Sequence, residues 1–115
     1  MIISVNGHDL ELQLADNPSA RAFADLVTGD GLVLSLEDYG GFEKVGALPQ
    51  RLPTSDERIT TRPGDVLLYQ GDQLSIFYHT HAWSYTRIGR ITDVDGDQLR
   101  RALSNGDVTV TIRSE

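Results

Sequence analysis

The segment from residue 64 to residue 91 constrains the fold most strongly, because three strand patterns follow one another there. Residues 66–70 and 74–78 are rich in apolar and aromatic side chains and flank a Gly-Asp turn, a combination typical of a β-hairpin. A third strand is predicted over residues 85–91, after a loop rich in His, Trp and Tyr. The centre of the chain is therefore predicted to be β-sheet.

Similar strand patterns extend towards both ends of the chain. Residues 3–5 and 10–14 alternate apolar and polar side chains, which is the period of a half-buried strand. Asn6-Gly7 lies between them and favours a hairpin turn in which both residues have positive φ. Further strands are predicted over residues 32–37, 45–48 and 108–112.

Two short helices are predicted between the strands. The first begins at Asn17 and Pro18, because Asn is a good N-cap and Pro is favoured at the first helical position. Apolar residues then recur at helical spacing until Gly29, which is expected to end the helix. The second helix follows the acidic turn at residues 95–97 and is predicted to stop at Asn105.

This order of elements predicts a mainly β fold: a closed eight-stranded barrel capped by two short helices. Closure is expected because it removes the exposed edges of a sheet. A length of 115 residues fits a single domain over residues 1–115. Residues 49–63 carry three prolines and three arginines and are predicted to form a long surface loop.

Composition narrows the range of partners. The net charge is −7 without any cluster of Lys or Arg, which disfavours binding to nucleic acids or to anionic membranes. The absence of cysteine excludes disulfides and Cys-ligated zinc. No signal-peptide pattern and no apolar run of the ~20 residues needed for a membrane helix are present. We therefore expect a soluble, cytoplasmic protein that carries no cofactor.

Five segments of the chain match the motifs of a known family. They cover residues 16–21, 36–44, 63–66, 76–78 and 87–91. Together with the order of elements, they resemble a small, largely uncharacterised bacterial family of cyclophilin-like domains, and the resemblance spans nearly the whole chain. It implies the cyclophilin-type β-barrel. The short turn at residues 70–73 and the loop at residues 79–83 depart from the family's usual pattern, so the ligand is expected to differ as well.

The resemblance does not extend to the catalytic motif of true cyclophilins. Those enzymes carry a Phe-His-Arg strand and a Phe-x-x-Gln-Gly-Gly-Asp segment, and the arginine steers the prolyl group. The corresponding region here reads Ala-Leu-Pro-Gln-Arg-Leu over residues 47–52. No catalytic residue is therefore predicted, since a fold alone does not transfer an activity.

Five of the eight aromatic residues lie between residues 69 and 85. Most are expected in the core, and the alternative is an aromatic wall for an apolar ligand. We predict a non-catalytic module that binds a small molecule or a proline-containing peptide. The predicted ligand-binding residues are His79, His81, Trp83 and Tyr85, with Arg51 and Arg58 at the rim.

Two other functions remain open at this level. The first is a weak or divergent prolyl isomerase that uses Arg51 or Arg58 from outside the usual strand. The second is a subunit that associates with a larger enzyme, which an exposed apolar patch around Trp83 would favour.

Two groups of polar side chains are weaker candidates for a site. His79 and His81 would face the same side of an extended backbone and would need a further ligand to hold a metal ion, so no metal is predicted. Asp38 and Glu43 flank a glycine turn next to Lys44 as a neutralising partner. This turn is interpreted as a structural corner.

Overall fold

The computed structural model describes residues 1–114 and consists mainly of β-strands. Two helices connect them, α1 (Pro18–Leu26) and α2 (Gly96–Leu103). The strands are β1 (Ile2–Val5), β2 (His8–Leu14), β3 (Leu32–Tyr39), β4 (Glu43–Ala47), β5 (Glu57–Thr60), β6 (Asp65–Tyr69), β7 (Gln73–Phe77), β8 (Ala82–Ile91) and β9 (Val108–Arg113). Neither helix is long and apolar enough to cross a membrane, which holds for the whole described part of the chain.

Eight of these strands close into an antiparallel barrel. The order around the barrel is β2-β1-β9-β3-β4-β7-β6-β8, and β2 pairs with β8 to complete the circle. The closing pairs place Leu12 opposite Ile91 and Leu14 opposite Gly89. The predicted fold class is therefore confirmed, including the hairpin at Asn6 and Gly7, where both residues have positive φ.

The ninth strand, β5, lies outside the barrel and corrects the prediction of a loop over residues 49–63. It pairs with β8, and Ile59 lies opposite Trp83. Ile59 and Leu52 are only 2% and 5% exposed, so this stretch is anchored on the barrel. A strand is usually recognised by alternating apolar and polar residues. β5 is too short to show this pattern, because it has four residues and buries only one of them.

The two helices begin at their predicted residues and contribute to the interior of the barrel. The Asn17 side chain accepts a hydrogen bond from the backbone N–H of Ala20 at 2.7 Å, and Asp95 caps α2 in the same way. Phe23 of α1 and Leu103 of α2 are completely buried in the barrel core. α1 ends before Gly29, because the backbone is already extended at residue 27.

A second, smaller apolar cluster lies on the outer face of the barrel. Its buried members are Ile59, Leu67, Phe77 and Tyr85. Because successive side chains of a strand point to opposite faces, β6, β7 and β8 send alternate residues into the barrel core and into this outer cluster. The strands here are covered on both faces, and β5 supplies part of the cover through Ile59.

Replacing the glycines of the corner between β3 and β4, Gly40 and Gly41, tests the predicted structural role of this corner. Gly40 and Gly41 both have positive φ, but a Cβ at Gly40 would overlap the Phe42 ring, whereas Gly41 has nothing within 4 Å. We expect Gly41→Ala to cost about 1–2 kcal/mol, the penalty of a left-handed backbone. Gly40→Ala should cost more, because Phe42 must also move. Urea unfolding of both variants measures the difference, and equal losses would contradict a steric role for Phe42.

Candidate ligand-binding cavity

A cavity of about 740 Å³ opens on the outer face of the barrel, above the outer cluster. Its volume falls within the usual range of sites for small molecules. Its walls are supplied by β4, β6, β7 and β8, by the corner between β3 and β4, and by the turn before β8. The lining residues are Tyr39, Gly40, Phe42, Glu43, Val45, Tyr69, Gln73, His81, Trp83 and Tyr85.

Ring contacts connect the side chains around the cavity. Phe42 stacks on His81 with ring centres 4.0 Å apart and an interplanar angle of 6°. Phe77, beneath the cavity, lies 6.2 Å from Phe42 and 5.2 Å from Tyr85. Tyr69 is 6.0 Å from Tyr85. Such ring pairs favour a fixed arrangement, so the walls are formed before any ligand binds.

The β8 strand sets the depth of the cavity. Trp83 and Tyr85 lie two residues apart on β8, so they point to the same face. Trp83 is 51% exposed and Tyr85 is 3% exposed. Trp83 therefore forms part of the rim and Tyr85 part of the base.

Thr61 fixes the turn that presents His81. Its buried hydroxyl donates to the backbone oxygen of His79 at 3.0 Å and accepts from the backbone N–H of His81 at 2.8 Å. The backbone N–H of Thr61 also donates to the His81 oxygen at 2.7 Å. These bonds fix the backbone at His81, whose ring stacks on Phe42.

His79 lies outside the cavity, in contrast to His81. The chain bends at residues 78–79, so the extended backbone assumed for the histidine pair is not present. The His79 ring is exposed, and its Nδ1 accepts a hydrogen bond from the backbone N–H of Thr80. Within residues 1–114, no three His, Cys, Asp or Glu side chains are grouped so that they could hold a metal ion.

Arg51 and Arg58 also lie away from the cavity, in contrast to the predicted arginine rim. Arg51 is exposed and lies 3.5 Å from an Asp72 oxygen. Arg58 alternates with Ile59 on β5, so it points away from the face that carries Trp83. Neither arginine lines the cavity, and none of the ten lining residues is Lys or Arg.

Glu43 is the lining residue whose position is most unexpected for its chemistry. It is 7% exposed, and its Oε2 atom is buried without a hydrogen-bond partner. Burial raises the pKa of Glu43, and the nearby Ser75 hydroxyl opposes that rise. The Ser75 Oγ atom also lacks a partner of normal hydrogen-bond geometry.

Lys44 does not neutralise Glu43, although the two residues are adjacent in sequence. Neighbouring residues of a strand face opposite sides, and Lys44 points inward, where it is 1% exposed. Its Nζ atom lies 3.2 Å from an Asp38 oxygen and 2.6 Å from the backbone oxygen of Gly106. The Tyr78 hydroxyl donates to the same Asp38 oxygen. Asp38 and Lys44 thus form the structural corner, and Glu43 belongs to the cavity.

The phenol of Tyr85 reflects the electrostatics at the base of the cavity. Burial raises the pKa of Tyr85, and Glu43 raises it further through its negative charge. Tyr69 and Tyr39 act in the same direction with smaller effects. Glu43 is the only acidic residue among the ten lining residues, and it gives an otherwise aromatic cavity a negative character.

The structure brings together three of the six predicted site residues, namely His81, Trp83 and Tyr85. The sequence analysis did not assign the other lining residues to the binding site. Those that contribute side chains are Tyr39, Phe42, Glu43, Val45, Tyr69 and Gln73. Alternation along β4 was the only available signal for Glu43 and Val45, and it does not show which face of the strand meets β8.

Comparison with known proteins gives a family match over most of the chain. The sequence profile of a family described as the cyclophilin-like family matches residues 3–113. The solution structure of the hypothetical protein AF2241 from Archaeoglobus fulgidus superposes with a TM-score of 0.62 at 19% identity, covering 98% of this chain and 92% of that one. At this identity the likeness concerns the fold alone. No curated protein sequence matches the chain significantly.

Proposed function

This chain belongs to the cyclophilin-like family, and we propose that it is a non-catalytic module that binds a small molecule or a short peptide segment in the outer cavity. The aromatic cavity itself carries this proposal. It has the volume of a small-molecule site and walls of Phe42, His81, Trp83 and Tyr85. A few polar groups, among them Glu43 and Gln73, lie within those walls, which is the usual composition of a binding site.

The half-exposed Trp83 supports the proposal further. A tryptophan that is 51% exposed at the edge of an apolar cavity leaves part of its ring in water, and a ligand would cover it. Burial of apolar surface contributes about 25 cal/mol per Å². Tyr39, which is 62% exposed, lies at the same opening.

Trp83→Ala is expected to weaken ligand binding by about two- to tenfold, since aromatic contacts contribute about 0.5–1.5 kcal/mol beyond the apolar area that they bury. Titration of labelled protein with a Xaa-Pro peptide and with small aromatic compounds, followed by amide chemical shifts, measures the affinity. Binding to the native protein can also be followed by tryptophan fluorescence, because Trp83 is the only tryptophan in the sequence. The fluorescence of Trp83 should change as the ligand covers its ring.

Val33→Ala is the matched control for this experiment. Val33 is also a large exposed apolar residue, at 61% exposure, but it lies on β3 and does not line the cavity. It should leave the affinity unchanged. If no compound shifts the amides around the cavity or changes the Trp83 fluorescence, the proposed function is wrong.

The isomerase alternative is tested in the same titration by following cis–trans exchange of the Xaa-Pro peptide. The cavity offers a peptide aromatic rings but no arginine side chain, so we expect binding without faster exchange. Accelerated exchange that Trp83→Ala abolishes would favour an isomerase instead.

The second candidate function is that of a subunit: this chain would associate with a larger enzyme, and the surface of that partner would cover the cavity. The observation that favours it is the pair Tyr39 and Trp83, which are two of the three large apolar side chains exposed within residues 1–114. Both line the same opening. A protein partner would therefore compete with small ligands, and its complex would lose the fluorescence response described above.

A further inference from the structure

The cavity places one carboxyl group among aromatic rings without a positive partner. Glu43 is 93% buried, as its exposure is 7%, and its Oε2 atom makes no hydrogen bond. An ionised carboxylate in such a position is costly unless something pairs with it. The neighbouring cation, Lys44, lies on the other face of β4 and pairs with Asp38.

The remaining groups around Glu43 supply no compensating charge. None of the ten lining residues is Lys or Arg, and the phenols of Tyr39, Tyr69 and Tyr85 bring no positive charge. On β7, across from β4, the nearby polar group is the buried hydroxyl of Ser75, which acts on Glu43 but carries no charge. The chain as a whole carries a net charge of −7, which attracts small cations over a long range.

Resting on the proposed function, we propose that the cavity binds an organic cation, with its ammonium group paired to Glu43 and its apolar body packed against Phe42, Trp83 and Tyr85. Two physical effects favour this class of ligand. The carboxylate gains the partner that the protein does not provide. The faces of the surrounding rings attract a cation by about 0.5–2 kcal/mol, depending on how well it is desolvated.

Binding of a cation and protonation of Glu43 should oppose each other, which predicts how the ligand affinity depends on pH. Burial raises the pKa of Glu43 in the free protein, and a bound cation must lower it, because a positive charge favours the ionised form. Ligand affinity should therefore fall as the pH decreases through the raised pKa of the free protein.

The probes are 2-phenylethylammonium and 2-phenylethanol, which have similar shapes and differ in charge. Amide-shift titrations and Trp83 fluorescence give the affinity of the native protein for each. We expect the ammonium compound to bind about tenfold more tightly, which corresponds to about 1.4 kcal/mol. Its affinity should decrease at acidic pH, and that of the alcohol should not.

Glu43→Gln keeps the shape of the side chain and removes its charge. The preference for the ammonium compound should disappear in this variant, and the affinity for the alcohol should stay the same. Asp25→Asn is the matched control, because it removes one negative charge from an exposed position on α1 that does not line the cavity. That control should keep the full preference of the native protein.

Glu43→Gln is not expected to unfold the protein, because the native carboxylate has no cationic partner to lose and the amide oxygen of Gln can still accept from the Ser75 hydroxyl. The raised pKa of Glu43 means that the folded state binds this proton more tightly than the unfolded state does. Its contribution to stability is present below the unfolded pKa and is lost as the pH rises through the folded pKa. The variant should therefore be at least as stable as the native protein at neutral pH, as urea unfolding will show.

Each outcome of the titrations separates this inference from the proposed function. Equal binding of the two probes, or tighter binding of the alcohol, with shifts around the cavity would support a binding module and overturn the organic cation. A preference that survives Glu43→Gln would also overturn it. If neither probe changes the amide shifts around the cavity at millimolar concentration, an organic cation is excluded as the ligand. The titrations with the Xaa-Pro peptide and the small aromatic compounds then decide on the proposed function alone.

Discussion

Replacing Phe23 with alanine is expected to destabilise the protein by about 3–5 kcal/mol. Phe23 is completely buried and is the aromatic residue of α1 that enters the barrel core. Its removal takes apolar surface out of the core and leaves a cavity that the closed barrel cannot easily collapse to fill, since its strands are fixed by hydrogen bonds on both sides. Urea or thermal unfolding measures the loss.

An effect of this size approaches the whole stability of a small domain, which is typically about 5–15 kcal/mol. Val33→Ala again provides the control, because Val33 is 61% exposed on β3 and such surface changes cost at most about 0.5 kcal/mol. A loss for Phe23→Ala no larger than that of the control would show that α1 does not pack into the barrel as described.

Gly46→Ala is expected to cost about 3 kcal/mol or more, near or above the upper end of the range for overpacked sites. Gly46 lies on β4 opposite Leu74. A Cβ at this position would overlap the backbone oxygen of Ser35 and would lie 2.7 Å from Cδ2 of Leu36. Since the Ser35 oxygen belongs to the backbone, β3 itself would have to move away from β4.

Gly106→Ala separates this steric effect from the general cost of replacing glycine. Gly106 has a φ of +75° and nothing within 4 Å of an added Cβ, so its replacement should cost only the left-handed penalty of about 1–2 kcal/mol. Unfolding midpoints of the two variants give the comparison. The close approach of β3 and β4 would be refuted if Gly46→Ala proved the milder change.

The interior of the barrel was largely predictable, because local patterns specify it. The hairpin turn at Asn6 and Gly7 requires two residues that tolerate positive φ, and both have it. Asn17 and Asp95 cap their helices by accepting hydrogen bonds from backbone N–H groups three residues ahead. Such signals act within a few residues, so they can be recognised without knowledge of the fold.

β5 shows where such signals fail. Its four residues include one buried side chain, Ile59, between charged and polar neighbours. The strand forms because β8 extends beyond the barrel and offers an edge to pair with, as the contact between Ile59 and Trp83 shows. The stabilising partner lies more than twenty residues away in the chain, so the local composition indicated a loop.

Local patterns in the chain indicate the positions of most strands and of both helices, since apolar periodicity and helix caps depend on neighbouring residues. The site depends instead on how distant segments pack together. The cavity joins residues 39–45, 69–73 and 81–85, and the barrel closure brings these segments to one outer face. The strands around it are buried on both sides, so alternation separates Glu43 from Lys44 but does not tell which one enters the barrel. Packing of the whole chain placed Lys44 inside with Asp38 and left Glu43 unpaired among the aromatic rings.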